Sequence, residues 1–527
     1  MCGVIGIISK HNRDDLGALI AHGLFQQQNR GDFSAGAATI KKLDMSGYTY
    51  RRQRRIVERT GYGVVDPLTI VKGLGKVKEV FAENNYQNSP LEKLVGFMGV
   101  GQVRYPTAGY TIPDETEINS KKDMENRDKA SIQPLATGTH SMIAMVHNGD
   151  IHNFNEIMNY YLNQGISQST HNDLEALLMV FADKFEMYSI NVAKEVRVLE
   201  AMKATMQEVK GTYSGIAIIN NVGLVAFRDP EGRRPLFFGV RRNKNTDITD
   251  FAFASETVAL DKMLFKGTSE GTYCNGKKLY DEIKPGEAMF ISKDFEVTRQ
   301  QLTQPKPTPC PFEIAYFQRA PSFIHGTRVL KSRELIIEQM WNEFKESKTY
   351  DRIKSLEEET IVVPIPRTAI TAAIELARLS GATYSPAIEK HPDSARIFMQ
   401  PTQEHRETET AANHYIFKEK VEGKIIFLVD DSIVRGTTSK LDIKYLRDLG
   451  AKEVHFFSTF PPIRHPCNHA INMKTHEELV GSGRTVAQIK KTLGLRSFET
   501  LKYATAQQIR NSVYSLEGTL CNECYAK

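Results

Sequence analysis

The apolar and polar positions follow two different patterns along the chain. Within residues 1–300, short apolar runs alternate with turns and with amphipathic stretches. Gly215–Asn220 and Leu224–Arg228 predict two strands about a tight turn, whereas Asp14–Gln28 and Asn172–Phe185 carry apolar residues at helical spacing. This mixture predicts stacked sheets that are covered by helices.

The second half of the chain alternates regularly between strand and helix patterns. The predicted elements are strand Thr360–Val363, helix Ala369–Leu379, strand Ile425–Val429, helix Ser439–Leu449 and strand Glu453–Phe460. Strands that alternate with helices in this way predict a parallel α/β sheet.

A proline-rich segment separates the two patterns. Gln304–Pro311 has four prolines in eight residues, and proline stiffens the backbone and removes hydrogen-bond donors, so this segment is predicted to be a linker. We therefore expect one domain over residues 2–300, a second over 305–500, and a C-terminal segment over 501–527.

Composition narrows the class of protein without identifying it. A chain of 527 residues with 41% hydrophobic and 25% charged content is ordinary for a globular protein of two domains. The net charge of +5 implies no nucleic-acid partner, although residues 51–55 contain four arginines. No apolar run approaches the ~20 residues that span a bilayer. With six cysteines, too few for a disulfide framework, we expect a cytoplasmic protein with reduced thiols and no membrane partner.

The most informative segment is Ile425–Ser439, an apolar strand followed by two acids and a run of small and hydroxyl residues that opens a helix. The backbone N–H groups of Arg435–Ser439 and the helix dipole favour an anion at this point, which indicates a phosphate site. Asp430 and Asp431 would repel a phosphate, so they are expected to bind sugar hydroxyls or a divalent metal.

The wording VDDSIVRGTTS in this segment resembles the signature of type I phosphoribosyltransferases, and Val363–Thr368, VPIPRT, resembles their pyrophosphate loop. The resemblance implies binding of phosphoribosyl pyrophosphate, with Mg²⁺ held by Thr368, Asp430 and Asp431. The residues implied in binding this substrate are Arg367, Thr368, Lys390, Arg396, Asp430, Asp431, Ser432, Arg435, Gly436, Thr437, Thr438 and Ser439.

The N-terminus carries a second kind of chemistry. Removal of Met1 would leave Cys2 with a thiol and a free α-amine, and an amine that titrates near ~7.7–8.0 could take the thiol proton. The stretches QNRGDFSAG at Gln28–Gly36, VRYPTAG at Val103–Gly109 and HNG at His147–Gly149 resemble, in order, motifs of class II glutamine amidotransferases. These enzymes are a branch of the N-terminal-nucleophile hydrolases, whose fold is an αββα sandwich.

The resemblance assigns roles in glutamine hydrolysis. It implies that Cys2 is the nucleophile, that Asn148 and Gly149 form the oxyanion hole, and that glutamine is bound by Arg104, Thr107 and Asp173. The segments FRDPEGRRPL at Phe227–Leu236 and ASE at Ala254–Glu256 match further motifs, which are interpreted as structural.

Four cysteines fit a different role. Cys310, Cys467, Cys521 and Cys524 resemble cysteines that bind a 4Fe–4S cluster in one subgroup of the amidophosphoribosyltransferases. Four thiolates suit either an iron–sulfur cluster or zinc.

Together these motifs resemble the amidophosphoribosyltransferase family. The resemblance implies a glycosyltransferase that forms 5-phosphoribosylamine, glutamate and pyrophosphate from glutamine, water and phosphoribosyl pyrophosphate, at the first step of purine biosynthesis. It also implies homotetramers or homodimers and inhibition by purine nucleotides.

Some positions depart from the family pattern. Asn29 replaces a histidine, and Lys390–Phe398, KHPDSARIF, lacks the glycine, asparagine and tyrosine of a loop that closes over the substrate. Two alternatives therefore stay open: a diverged paralogue that amidates another phosphoribosyl or sugar acceptor, and a pseudoenzyme that senses phosphoribosyl pyrophosphate or nucleotides.

Overall fold

A computed structural model of the protein describes residues 2–42, 67–81, 89–105, 129–137, 142–189, 191–245, 247–264, 273–274, 277–278, 280–391, 414–469 and 471–526. The chain divides into two compact units. The first comprises Met1–Pro309 and His469–Asn472, and the second comprises Cys310–Asn468 and Met473–Lys527. The division at Pro309 lies a few residues beyond the expected boundary near residue 305, within the proline-rich segment, which has no regular secondary structure in its described residues.

The described part of the first unit contains two antiparallel sheets and a small hairpin. The strands are β1 (Gly3–Arg13), β2 (Ser34–Ile40), β3 (Leu68–Leu74), β4 (Gly96–Arg104), β5 (Leu135–Thr137), β6 (Ile143–Ile151), β7 (Gly211–Ile219), β8 (Gly223–Arg228), β9 (Phe237–Arg242), β10 (Ile248–Ala254), β11 (Tyr273–Cys274), β12 (Lys277–Lys278), β13 (Tyr280–Glu282), β14 (Glu287–Ser292) and β15 (Val297–Gln301). Their order is β13-β9-β10-β1-β4-β2-β3 in one sheet and β15-β14-β8-β7-β6-β5 in the other.

The helices of this unit cover the outer faces of the two sheets. They are α1 (Leu16–Gln26), α2 (Val77–Val80), α3 (Pro90–Lys93), α4 (Phe154–Asn163), α5 (Leu174–Glu186), α6 (Lys194–Glu208) and α7 (Thr257–Leu264). A short 3₁₀ turn, Gln28–Arg30, follows α1.

Successive side chains along a strand point to opposite faces of the sheet, so alternate residues face different layers. On β6, Ile143 and Met145 belong to the apolar cluster that includes α5 and α6, whereas Ala144 and Val146 belong to a second cluster, between the sheets. That second cluster also contains Val4 and other residues of the first sheet. The layers are therefore helix, sheet, sheet and helix, and the predicted αββα sandwich is confirmed.

The second unit is built on a parallel sheet. Its described strands are β16 (Phe323–Ile324), β17 (Thr327–Arg328), β18 (Thr360–Pro364), β19 (Thr383–Tyr384), β20 (Ile388–Lys390), β21 (His414–Ile416), β22 (Ile425–Asp430), β23 (Glu453–Ser458) and β24 (Leu501–Tyr503). Five of them form the sheet β19-β18-β22-β23-β24, in which every pair is parallel, and the others form two antiparallel two-stranded sheets, β16-β17 and β20-β21. The parallel sheet that was predicted for this half is confirmed.

Helices surround this sheet. They are α8 (Val329–Phe344), α9 (Lys348–Lys354), α10 (Ile370–Ser380), α11 (Lys418–Val421), α12 (Thr437–Asp448), α13 (Val486–Thr492) and α14 (Ala506–Asn511), and a π-helical turn covers Glu313–Phe317. Three details differ from the sequence analysis. Helix α12 begins two residues before the predicted Ser439, β23 ends at Ser458 rather than Phe460, and residues 501–503 of the expected C-terminal segment form an edge strand of the sheet.

No helix among the described residues combines the length and the apolar character that crossing a bilayer requires.

Candidate active sites

Cys2 lies where the first strand begins. Gly3 on β1 pairs with Val103 on β4, so the start of β1 is next to the end of β4 that carries Arg104. Cys2 is buried, and its Sγ lies 4.0 Å from the carbonyl oxygen of Tyr105. Arg30 donates through Nε to the Cys2 carbonyl at 3.0 Å. The Arg30 side chain thus holds the Cys2 backbone, and the Cys2 thiol contacts the Tyr105 carbonyl.

Asn148 faces Cys2 from the other sheet. The backbone N–H of Cys2 donates to Asn148 Oδ1 at 3.3 Å, which fixes the orientation of the side-chain amide. Asn148 Nδ2 is buried and has no hydrogen-bond partner among the described residues. An unpartnered buried donor beside a thiol is the kind of group that could stabilise an oxyanion formed only during a reaction.

The glycine after Asn148 is required by packing. A Cβ atom at Gly149 would lie 1.8 Å from the Thr212 carbonyl oxygen, because β6 and β7 approach closely there. Every other residue type is therefore excluded from position 149 without movement of the strands.

Arg104 and Asp173 supply opposite charges at the same site. Both are buried, and Arg104 donates through Nη1 to the Ser131 carbonyl at 2.7 Å. Burial alone would raise the pKa of Asp173, but the hydrogen bonds that it accepts from His147 and from the Ile151 N–H group, with the charge of Arg104, favour a pKa below its usual value. Asp173 is therefore a stable carboxylate, able to bind an ammonium group, while Arg104 is able to bind a carboxylate.

A buried ion pair contacts Cys2 through Arg30. Arg30 Nη1 is 3.0 Å from Glu256 Oε1, both side chains are fully buried, and Asn29 Nδ2 donates to the same oxygen at 3.2 Å. Glu256 was interpreted only as part of a structural motif, yet it holds the arginine that contacts the Cys2 carbonyl. Sequence reasoning missed this link because the two residues are far apart in the chain.

The second site lies at the carboxyl ends of β18 and β22. These strands pair in parallel, with Pro364 opposite Val429, and the Ile365 N–H donates to the Val429 carbonyl at 2.8 Å. The loops that follow them therefore meet, and the Thr368 side chain hydrogen-bonds to Asp431. The Pro366–Arg367 peptide bond in the first loop is cis.

The two acids at this point repel each other. Burial, and for Asp430 also the charge of Asp431, raises the pKa of both carboxyls, while the charge of Lys390 opposes the rise. Two crowded carboxyls and a threonine hydroxyl form a hard oxygen donor set, and a divalent cation would favour their ionised form. These residues therefore fit Mg²⁺.

Helix α12 begins beside these acids. Gly436 precedes it with φ of +76°, and a Cβ atom there would also lie 3.0–3.2 Å from Leu493 and Val480. Thr437, Thr438 and Ser439 form the first turn, whose N–H groups have no acceptors within the helix. Because α12 begins at Thr437, its N-terminus, where a helix favours an anion, directly follows the loop after Asp430 and Asp431.

The other residues expected to bind phosphoribosyl pyrophosphate differ in their surroundings. Arg435 forms an ion pair with Glu478, so its charge is already balanced by a carboxylate. Arg367 is exposed, whereas Ser432 donates through Oγ to Asp431 Oδ1 at 2.7 Å. Thr107 and Arg396 lie outside the described residues.

Arg333 on α8 is a basic residue near the acids that sequence reasoning did not assign to this site. Its charge acts on Asp431, and its guanidinium donates to the carbonyls of Ile314, Tyr316 and Gln318 at 3.2, 3.3 and 2.8 Å. An isolated arginine within an amphipathic helix gives no signal of such a position.

The four cysteines lie in the second unit, and none forms a disulfide. Burial, followed by the proximity of Cys310, Cys467 and Cys521, raises the pKa of the Cys524 thiol. In the part of the chain that is described, no three His, Cys, Asp or Glu side chains stand arranged around a metal position. Cys310, Cys467 and Cys521 all act electrostatically on Cys524, and four thiols are the kind of donor set that an iron–sulfur cluster or zinc takes.

Comparison with known proteins decides the family. An amidophosphoribosyltransferase of Pseudomonas aeruginosa is 30% identical to this chain over 496 residues, which are 94% of this chain and 86% of that protein. The chain belongs to the amidophosphoribosyltransferase family. The resemblance found in the motifs is thereby confirmed.

Other relatives agree with this family. The amidophosphoribosyltransferase of Methanothermobacter thermautotrophicus is 29% identical and covers 99% of this chain and 93% of its own length. A family model described as a glutamine amidotransferase domain matches residues 122–262.

Two solved structures share the fold over the whole chain. One is described as the allosteric regulatory enzyme of purine biosynthesis, with a TM-score of 0.74, 27% identity, and coverage of 100% of this chain and 95% of that one. The other is a glutamine phosphoribosylpyrophosphate amidotransferase from B. subtilis in complex with ADP and GMP, with a TM-score of 0.73, 26% identity, and coverage of 100% and 96%.

Proposed function

We propose that the protein is a glutamine-dependent amidophosphoribosyltransferase that forms 5-phosphoribosylamine, glutamate and pyrophosphate at the first step of purine biosynthesis. The observation that carries this proposal is one chain with two sets of reactive groups: Cys2 with Asn148, and Asp430 and Asp431 with Thr368. Family membership agrees with both.

In the glutamine half-reaction, Arg104 binds the substrate α-carboxylate and Asp173 binds its α-ammonium group. The thiolate of Cys2 attacks the carboxamide carbon, and the developing oxyanion accepts hydrogen bonds from Asn148 Nδ2 and from the Gly149 N–H. Collapse releases ammonia and leaves a thioester, which water hydrolyses to glutamate. Thr107 belongs to the same proposal, although it lies outside the described residues.

This half-reaction requires removal of Met1, because the α-amine of Cys2 then serves as the base. The Cys2 nitrogen lies 3.3 Å from Asn148 Oδ1. After removal of Met1, this hydrogen bond would hold the free α-amine in place close to the thiol of the same residue. An intact mass that lacks one methionine is the expected result.

In the second half-reaction, phosphoribosyl pyrophosphate binds at the ends of β18 and β22. Its 5′-phosphate accepts hydrogen bonds from the first turn of α12, at Thr437, Thr438 and Ser439. Asp430, Asp431 and Thr368 would hold Mg²⁺, which when bound neutralises the pyrophosphate leaving group. Lys390 adds a positive charge close to the two acids.

The motif match assigns further residues to the binding of phosphoribosyl pyrophosphate. Ser432 and Gly436 shape the loop, and Arg367 and Arg396 supply charge for pyrophosphate. Arg435 would have to exchange its contact with Glu478 for one with the substrate.

A 4Fe–4S cluster is proposed on Cys310, Cys467, Cys521 and Cys524. The proximity of three thiols to Cys524 supports it, and zinc is the alternative occupant. Anaerobic purification followed by an absorption spectrum and iron and zinc assays distinguishes the two metals.

Homotetramers or homodimers, inhibition by purine nucleotides and a cytoplasmic location complete the proposal. The solved B. subtilis relative in complex with ADP and GMP supports nucleotide binding.

The direct test is the stoichiometry of the reaction. With glutamine, Mg²⁺ and phosphoribosyl pyrophosphate, we expect equal amounts of glutamate and pyrophosphate, and loss of pyrophosphate and of the stimulated part of glutamate release when EDTA is added. Glutamate release that phosphoribosyl pyrophosphate does not stimulate would indicate another acceptor. Absence of turnover, with phosphoribosyl pyrophosphate still bound, would indicate a sensing protein.

A further inference from the structure

The orientation of one side-chain amide determines which ring nitrogen of His147 accepts a hydrogen bond. Gln133 Oε1 accepts the His147 backbone N–H at 2.8 Å, so the Gln133 amide cannot be turned around without losing that bond. Its Nε2 therefore faces His147 Nδ1 at 2.9 Å and Asn172 Oδ1 at 3.2 Å. Because an amide nitrogen only donates, His147 Nδ1 must accept, and the imidazole carries its proton on Nε2.

That proton points at the glutamine-binding carboxylate. His147 Nε2 lies 3.2 Å from Asp173 Oδ2, and the Ile151 N–H donates to the same oxygen at 2.9 Å. No described residue donates a hydrogen bond to Asp173 Oδ1. One carboxylate oxygen is therefore fixed by the protein, and the other is left for a substrate donor.

The network is buried throughout. Gln133, His147, Asn172 and Asp173 all have exposed fractions of 5% or less. Asn172 Nδ2 in turn donates to the Ser131 carbonyl at 2.7 Å, and this carbonyl also accepts the Arg104 bond. Arg104, which is proposed to bind the α-carboxylate, and the network around Asp173, which is proposed to bind the α-ammonium group, therefore share the Ser131 carbonyl as an acceptor.

A neutral donor has a specific electrostatic advantage here. An imidazolium ion would cancel the charge of Asp173 and weaken its attraction for an ammonium group. A neutral imidazole orients the carboxylate by one hydrogen bond and leaves the full negative charge for the substrate.

We propose that His147 and Gln133 are positioning residues that set the selectivity of Asp173 for the α-ammonium group of glutamine. This inference rests on the proposed glutaminase function. It assigns to the histidine of the HNG motif a role in substrate selection that is separate from the oxyanion hole formed by its two neighbours.

The test compares L-glutamine with glutaramic acid, which has the same carboxamide but no α-amino group. We expect His147→Leu to raise the KM for glutamine by about tenfold or more, the effect of losing a hydrogen bond to a charged group, with a smaller change in kcat. The ratio of kcat/KM for glutamine to that for glutaramic acid should fall by a similar factor. A residue with only a structural role would lower both values equally.

Two further variants keep the proposal testable if His147→Leu folds poorly. His147→Gln places an amide nitrogen close to the position of Nε2, so it should recover most of the selectivity. Gln133→Met leaves the imidazole without a fixed tautomer and should give a smaller loss in the same direction. His22→Gln, on the exposed face of α1, is the matched control and should change nothing.

Ammonia-dependent synthesis in each variant reports the fold and the second site independently. An unchanged selectivity ratio in a folded His147→Leu protein would overturn the inference and leave the proposed function intact. A wild-type protein that does not hydrolyse glutamine would instead overturn the proposed function.

Discussion

Replacement of Asn148 by alanine tests the proposed oxyanion hole. The change removes Nδ2, the buried donor that has no partner among the described residues, and Oδ1, which accepts the Cys2 N–H at 3.3 Å. It leaves the ion pair of Arg30 and Glu256 and the proposed glutamine-binding residues Arg104 and Asp173 in place. The reaction should therefore lose a stabilising contact in the transition state without losing its substrate site.

The expected magnitudes for activity and stability differ. Loss of one oxyanion donor typically lowers kcat by about 10²–10³, which corresponds to roughly 2.7–4 kcal/mol. In the resting protein, the unpartnered Nδ2 carries a desolvation cost of about 1–3 kcal/mol, and its removal offsets the loss of the one bond to Cys2, worth about 0.5–1.5 kcal/mol. The free energy of unfolding should thus change little, or rise, while catalysis falls steeply.

The assay measures glutamine hydrolysis, ammonia-dependent synthesis and thermal unfolding on the same preparation. We expect a loss of kcat of at least a hundredfold with glutamine, an almost unchanged KM, and full synthesis from ammonia. A loss below tenfold, or a KM that rises as much as kcat falls, would refute the assignment of Asn148 to the oxyanion.

Three predictions concern stability. Asp229→Asn should destabilise the protein by about 1–3 kcal/mol in denaturant unfolding, because the Asp229 carboxylate accepts three backbone N–H groups at 2.9–3.0 Å and an amide cannot accept all three; an unchanged midpoint would contradict this. Asp442→Leu should cost about 1–3 kcal/mol by leaving the buried His414 side chain without its hydrogen-bond partner at 2.9 Å, whereas adding His414→Leu should recover much of the loss; a double variant as unstable as the single one would refute the pairing. Burial lowers the pKa of His455 despite Glu453, so the unfolded chain takes up more protons near pH 6.5 and stability should fall as pH falls through that range; His455→Gln should flatten this dependence, and an unaltered pH profile would argue against it.

Elements that are set by neighbouring residues could be predicted from the order of apolar residues and turn residues. The strand before Asp430 and the turn between β7 and β8 follow from apolar runs and turn residues, and both are where the sequence indicated. The start of α12 was placed too late because Thr437 and Thr438 have weak helix propensity, whereas Gly436, with φ of +76°, lets the helix begin directly after it.

Long-range contacts were beyond the reach of the same reasoning. Gln133 and Asp173 meet at His147 from separate segments, and Glu256 reaches Arg30 across 226 positions. The pairing of Arg435 with Glu478 was missed for the same reason, since the motif reading assigned the arginine to a phosphate. Such contacts are set by how the strands pair, which periodicity alone does not determine.

The central claim is that two separable sites release ammonia and capture it on a phosphoribosyl group. The most direct measurement is synthesis of 5-phosphoribosylamine with glutamine and, separately, with ammonium, for Cys2→Ala and Asp431→Asn. The account predicts that Cys2→Ala abolishes glutamine-dependent synthesis and spares the ammonia-dependent reaction, whereas Asp431→Asn damages both. Equal losses of both reactions in Cys2→Ala, or full ammonia-dependent activity in Asp431→Asn, would contradict it.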